Sequence, residues 1–520
     1  MLPIEELSSD LTLREKIAQL IFVRIGSNLP PVHTVEEDAE RVASLLKECP
    51  VGGLVVFNGG PGTKQTLERM QAISKVPLLV GCDIERGVGQ HVQGYTLFPH
   101  AMALGRQPTN IDRMVEATAG EAHDVGIHIT FAPVADVNTN PLNPIISIRA
   151  FSDDVDMASA HTAHYVKLAE ESGLLTTAKH FPGHGDTHQD SHDSLPSVDV
   201  TLDDLRAREL VPFRVAIDAG CSLIMTAHVA FPNIDPSGLP ATLSRLFLQT
   251  ILREELGFKG VVCSDSLLMT GVCDSFEDEG EMALATVNAG VDLLLDLREP
   301  ITVADYLVSC VRSGKLREDR VDEAYWRVME LKQKAFGQRL LNDSRPAKVS
   351  SRNTNKELPA DSAKVAARQA IEVLHGSSAV LPLNPDQPLT AILLRPFETR
   401  IDPPEQPLAA ALRERFRHVK YVQLGPKSNP AAYDAALELA SDASQLLLAI
   451  IVRPAAWHDF GLRPEQKAFL DQATRERDDV VLASLGVPYV LEEFPEAAVR
   501  ICTYSDVPVS QQALADFILA

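Results

Sequence analysis

The stretch Ser172-Gly173-Leu174-Leu175-Thr176-Thr177-Ala178-Lys179-His180 sets the pattern from which the fold is read. An amphipathic segment closes on a glycine, a short apolar run follows, and charged or polar groups end the run. Glycine suits the left-handed position that terminates a helix. An apolar run without alternation reads as a strand covered on both faces. The same order recurs around Gly126, with Ile127 to Val134 and Asp136; around Gly220, with Ser222 to Ala227 and His228; around Gly257, with Val261 to Ser264 and Asp265; and around Gly290, with Val291 to Leu295 and Asp296. Three earlier runs, Leu20 to Ile25, Gly53 to Phe57 and Leu78 to Asp83, fit less regularly. Helices are expected between them, at Glu36 to Glu48, Asp203 to Asp218 and Leu243 to Glu255 among others. Strand–helix alternation implies right-handed crossovers and a parallel sheet. Eight such strands are the number at which the sheet closes, so the expectation is α/β, a (β/α)8 TIM-type barrel. An open doubly wound sheet is the alternative, although no G-x-G-x-x-G follows the first strand.

Helical sequence continues from Val303 to about Phe336, and a stretch rich in Ser, Asn, Lys, Arg and Pro follows. The expected domains are therefore a barrel over 1–340, a linker over 341–362 and a smaller α/β sandwich over 363–520. In the last, Ala363 to Leu374, Ala431 to Ala440, Pro464 to Arg475 and Ser510 to Leu519 read as helices. Ala391 to Leu394, Val419 to Leu424, Leu446 to Val452, Val480 to Leu485 and Ala498 to Tyr504 read as strands.

A length of 520 residues calls for two or three domains. The net charge of −23 argues against nucleic acid or an anionic membrane as partner, since both reward a basic surface. The seven cysteines have no paired spacing and read as buried free thiols of a reducing compartment. Met1 to Gln19 is mostly polar and acidic and does not read as a signal peptide. No apolar run approaches the ~20 residues of a membrane span. The expected location is the cytoplasm.

In a barrel the carboxyl ends of all strands converge on one face. Asn58, Asp83, Asp136, Lys179, His180, His228, Asp265 and Asp296 are thus expected at one mouth. The loop Lys179-His180-Phe181-Pro182-Gly183-His184-Gly185-Asp186-Thr187-His188-Gln189-Asp190-Ser191-His192 is the densest in titratable groups. Its histidines are spaced by four, as a helical metal site would have them, but Pro182 and Gly183 break any helix there. An acid–base reading needs only one histidine held by a carboxylate, which Asp190-Ser191-His192 offers. Asp265, ending the apolar run Val261-Val262-Cys263, is either a helix cap or a nucleophilic carboxylate.

The loop, with Leu195-Pro196 after it, resembles the signature of the β-N-acetylglucosaminidase branch of glycoside hydrolase family 3. The resemblance extends to Asp136-Val137-Asn138-Thr139-Asn140-Pro141, Arg149-Ala150-Phe151, Ile224-Met225-Thr226-Ala227-His228 and Ser264-Asp265-Ser266-Leu267-Leu268-Met269. Leu485-Gly486-Val487-Pro488-Tyr489 and Cys502-Thr503-Tyr504 are similar to the second domain of its two-domain members. The resemblance implies a retaining exo-β-N-acetylglucosaminidase acting on peptidoglycan fragments or chitooligosaccharides without cofactor or metal. Asp265 would be the nucleophile, and His192, oriented by Asp190, the acid–base group. Asp83, Arg149, Lys179 and His180 would bind the sugar. An imidazole in place of a second carboxylate repels anionic acceptors less, which keeps phosphorolysis open. The chain departs from the family after the third strand: Asp83-Ile84-Glu85-Arg86-Gly87-Val88-Gly89-Gln90-His91 has Arg86 for a usual glycine and His91 for a usual arginine. A β-glucosidase or a glycoside phosphorylase on the same scaffold is the alternative. A metal-dependent barrel hydrolase and a silent carbohydrate-binding protein are readings from other classes.

Overall fold

The structure is a computed structural model that describes residues 11–189, 195–341, 358–376, 379–399 and 402–520. Eight strands run in chain order around a closed parallel barrel. They are β1 (Ile21–Ile25), β2 (Gly53–Val56), β3 (Leu79–Cys82), β4 (Ile129–Thr130), β5 (Leu175–Phe181), β6 (Leu223–Thr226), β7 (Val261–Ser266) and β8 (Leu293–Leu295). Closure is made by β1 against β8, with Ile21 opposite Leu294 and Phe22 opposite Leu295. The open-sheet alternative is thereby excluded.

Sequence dictates this locally. Gly173 and Gly220, with φ of 78° and 91°, end their helices in the left-handed region before β5 and β6. Thr34 caps the helix Val35–Glu48, accepting from the Glu37 N–H while the Glu37 carboxylate accepts from the Thr34 N–H. Inside the barrel, large rings alternate with missing side chains. A Cβ on Gly53 would lie 2.6 Å from the Phe22 ring, and one on Gly81 would lie 2.6 Å from the Phe131 ring.

Three elements differ from expectation. The run Ile127 to Val134 pairs as a strand only at Ile129–Thr130, because Pro133 has no N–H to donate; pairing resumes as an isolated bridge from Val134 to Lys179. The expected helix Asp203 to Asp218 is two, Leu202–Ala207 and Leu210–Asp218. Pro212 cannot donate to the carbonyl four residues back and its ring crowds that carbonyl, so the helix breaks at Arg208. The segment Leu246–Glu255 winds as a π-helix. Its buried Phe247, Leu248, Ile251 and Leu252 recur at spacings that either winding brings to one face, so periodicity does not separate the two.

The amino end of the barrel is tied by charge. Asp292, fully buried just before β8, accepts at Oδ1 from Arg320 and Arg327, both at 2.9 Å. Its Oδ2 accepts from Arg253 at 2.6 Å and from the Val262 N–H at 3.0 Å. Burial alone would raise the Asp292 carboxyl, but the three guanidinium groups hold it below the usual range. Nearby, the buried Lys332 ammonium donates to Gln19 Oε1 at 2.5 Å and to the Pro77 carbonyl at 2.6 Å. Burial pushes it down to about 7.

The described residues divide into two compact units, one drawn from 11–96, 112–137, 153–189 and 195–341, the other from 97–111, 138–152, 358–376, 379–399 and 402–520. The second unit thus includes two stretches that precede the expected linker, and Met102, Ala103 and Ile148 are buried in its apolar core. Its six-stranded sheet has the order β11-β10-β12-β13-β14-β9, from β9 (Glu372–Gly376), β10 (Leu389–Leu394), β11 (Val419–Leu424), β12 (Gln445–Ile450), β13 (Val481–Ser484) and β14 (Val499–Cys502). Here the expected helix Ala363 to Leu374 stops at Ala370, and Glu372–Gly376 pairs antiparallel with β14. Pairing to a sheet edge overrides the helical periodicity.

Candidate active site

The carboxyl ends of the barrel strands carry one connected set of charged side chains. Lys179, near the end of β5, has a side chain 2% exposed. Its ammonium lies 2.6 Å from Asp83 Oδ1 and 2.7 Å from Glu85 Oε1, both just past β3. The buried ammonium is thus paired with two carboxylates at once, which offsets its loss of water. The next side chain, His180, donates from Nδ1 to Asp136 Oδ2 at 2.7 Å. The His180 backbone N–H also reaches both Asp136 oxygens at 3.2 Å, and the His184 N–H reaches Oδ1 at 2.7 Å. Burial would raise the Asp136 carboxyl; His180, His184 and these N–H groups outweigh it and hold it low. Asp136 thereby fixes the His180 tautomer and leaves Nε2 for a ligand.

Asp265 stands on β7. It accepts one hydrogen bond among the described residues, from the Ser266 N–H to Oδ1 at 2.7 Å. Burial would raise its carboxyl, but His180, His228, Lys179 and the Ser266 N–H prevail and keep it below the ordinary carboxylate value. It is therefore ionised at neutral pH with Oδ2 unengaged by any described residue. His228, past β6, donates from Nε2 to the Ser266 carbonyl at 3.0 Å. The Ser266 hydroxyl donates to Asp296 Oδ2 at 2.7 Å. Asp296, just past β8, is ion-paired with Arg24 of β1 through both guanidinium Nε (3.0 Å) and Nη2.

Of the expected site residues, Asp83 and Lys179 thus meet directly, and Asp265 shares the barrel mouth with Lys179 and His180. Arg149 belongs to the second unit, on the turn Ser147–Arg149, where its Nη1 donates to the Ile145 carbonyl at 2.8 Å. Asp190 and His192 lie outside the described residues. His184 bonds Thr187 at 2.8 Å within its own loop. Asn58 donates to the His33 carbonyl at 3.1 Å and so holds loop to loop. His91 packs edge-on to Phe57, 5.2 Å between ring centres, and burial pushes its imidazole down to about 4, so it is neutral at pH 7. Among the described residues, no group of three His, Cys, Asp or Glu is arranged to hold a metal ion, and no helix is long and apolar enough to cross a membrane.

Residues 12–331 match the model of the glycosyl hydrolase family 3 N terminal domain. The chain belongs to glycosyl hydrolase family 3. Family 3 relatives include the beta-hexosaminidase A of Pseudoalteromonas piscicida, 32% identical over 56% of this chain and 55% of that one. The beta-hexosaminidase of Idiomarina loihiensis is 36% identical over 54% of this chain and 83% of its own length. The chain spans about half the length of the first of these. Among solved structures, the family 3 beta-N-acetylglucosaminidase of Paenibacillus sp. superposes with a TM-score of 0.84 at 28% identity, covering 98% of this chain and 97% of that one.

Three members of this family 3 mouth escaped the sequence reading as site residues. Glu85 stands in the turn just after Asp83, and only its ion pair with Lys179 marks it as part of the mouth. Ser266 follows a candidate nucleophile and was not weighed for itself. Arg24 is the one charged residue of β1, and a charge inside a buried strand needs a partner.

Proposed function

We propose that this family 3 chain is a retaining exo-β-N-acetylglucosaminidase working by double displacement. The observation that carries the reading is Asp265: ionised, held at one oxygen only by the described residues, and surrounded by Lys179, His180 and His228. An Asp265 oxygen would attack the anomeric carbon while the glycosidic oxygen departs with a proton from His192. The glycosyl–Asp265 ester would then fall to a water deprotonated by the same imidazole. Asp190 would orient His192. Asp83 would accept from sugar hydroxyls, and Lys179, His180 and Arg149 would donate to sugar oxygens. The names of the relatives and the full-length match to a solved beta-N-acetylglucosaminidase support the choice of sugar. In this reading the substrates are peptidoglycan fragments or chitooligosaccharides met in the cytoplasm, consistent with seven unpaired cysteines.

A second reading takes glucosides as substrate and draws support from a Cellulomonas fimi relative, 31% identical, named for both β-N-acetylglucosaminidase and β-glucosidase activity; phosphate as acceptor is the further alternative on the same scaffold. Nitrophenyl glucosaminide and nitrophenyl glucoside, each assayed with and without phosphate, separate the two. Faster turnover of the glucosaminide, unchanged by phosphate, is the expected result. Preference for the glucoside, or appearance of a sugar phosphate, overturns it.

A further inference from the structure

Asp265 is not held by its own strand alone. Its single described hydrogen bond comes from the Ser266 N–H, so the orientation of the carboxylate follows the position of Ser266. That residue is gripped twice more. His228 Nε2 donates to its carbonyl at 3.0 Å, and its hydroxyl donates to Asp296 Oδ2 at 2.7 Å. Asp296 is in turn held by both faces of the Arg24 fork, Nε to Oδ1 and Nη2 to Oδ2. The Arg24 guanidinium lies 4.8 Å from the centre of the Phe57 ring, which packs against His91. The links therefore run Arg24 on β1, Asp296 past β8, Ser266 and Asp265 on β7, across three neighbouring strands of the closed barrel.

We infer that Asp296 is a positioning residue for Asp265, acting through Ser266, with Arg24 as its anchor; the inference rests on the proposed role of Asp265. Two physical arguments carry it. A carboxylate partner keeps the Ser266 hydroxyl hydrogen turned toward Asp296, so the hydroxyl does not compete for Asp265 and one Asp265 oxygen stays free to attack. The Arg24 charge cancels that of Asp296, so a second carboxylate near the mouth does not drive protons onto the first. Asp296 itself has φ of 70°, a left-handed conformation that among non-glycine residues aspartate and asparagine adopt most readily, at the point where its side chain meets Ser266.

The test uses the full chain and whichever nitrophenyl glycoside the unaltered protein cleaves fastest. Asp296→Ala is expected to lower kcat by on the order of 100-fold with KM changed by less than about 3-fold, because a loosened nucleophile damages the chemical step rather than binding. The acidic limb of the kcat/KM profile is expected to move to lower pH, because the variant leaves the Arg24 charge uncancelled near Asp265. Ser266→Ala should give a smaller loss of the same kind, and the double variant should be no worse than Asp296→Ala, since both break one chain of contacts. Additive losses, a change confined to KM, or a normal kcat per folded molecule overturns the inference. Where Asp296→Ala fails to fold, Ser266→Ala alone decides, by a fall in kcat with KM little changed. An unaltered protein silent on every glycoside overturns the proposed function and this inference together; an active one with unaffected variants overturns only the inference.

Discussion

Asp265 and Asp292 serve neighbouring strands of one barrel and are both held ionised by nearby cations, yet their surroundings are opposite. Asp292, at the amino end, has both oxygens filled twice: two guanidinium groups on one, a guanidinium and a backbone N–H on the other. Asp265, at the carboxyl end, accepts a single backbone N–H among the described residues, and Lys179, His180 and His228 act from around it rather than on it. A saturated carboxylate has no lone pair to offer and serves as a tie. A carboxylate kept ionised by field, with an oxygen left open, is reactive. Low proton affinity alone therefore does not mark a candidate nucleophile. The count of hydrogen bonds at the same charge does.

Breaking each end in turn sharpens the contrast. Asp265→Asn should reduce kcat by at least about 1,000-fold while leaving the melting temperature near that of the parent, read by a nitrophenyl glycoside assay beside calorimetry. Comparable activity in the variant would remove Asp265 from the mechanism. Asp292→Ala should do the reverse. It strands three guanidinium groups around one site, at a cost of about 3–5 kcal/mol in urea unfolding, with activity per folded molecule retained. Because Asp292 is held below the usual carboxylate range, its contribution is present above the unfolded-state value of about 4 and is lost as pH falls through the lower folded-state value. The acid loss of stability should thus be shallower in the variant.

The smallest effect concerns Lys332. Its folded-state value of about 7 lies below the ordinary 10.5, so between those values the unfolded chain binds the extra proton and stability rises with pH. Lys332→Met should flatten the rise between pH 7 and pH 10 in denaturant titrations. An unchanged slope would mean that the ammonium keeps its proton in the fold.

The reactive end was more legible than the tied end, for a physical reason. Residues that close an apolar strand at the carboxyl side announce themselves, and strand direction then gathers Asp83, Asp136, Lys179, His180 and Asp265 without further information. Asp292 lies inside the apolar run Val291 to Leu295 with nothing local to mark its role, since Arg253, Arg320 and Arg327 come from distant helical segments whose pairing no local pattern carries. The same limit applies within the mouth. The Arg24–Asp296 pair joins residues 272 positions apart and follows only from closure of β8 on β1. Turn chemistry was also underused. Pro133 and Pro212 each carry a boundary that the apolar count alone passed over, and the helix Pro407–Arg415, opened by a proline at its first position, went unread.

The last helix of the barrel, Glu318–Leu341, brings Arg320 and Arg327 to Asp292 before β8, and Lys332 to Gln19 before β1 and Pro77 before β3. It works as a drawstring. During synthesis the first three hundred or so residues can hold all eight strands with Arg253 and the Val262 N–H on Asp292 and still lack the ties of Arg320, Arg327 and Lys332. A growing chain therefore has to expose the segment beyond Lys332 before its barrel gains these ties, and shortening the protein within that helix should forfeit the whole barrel rather than one helix of it.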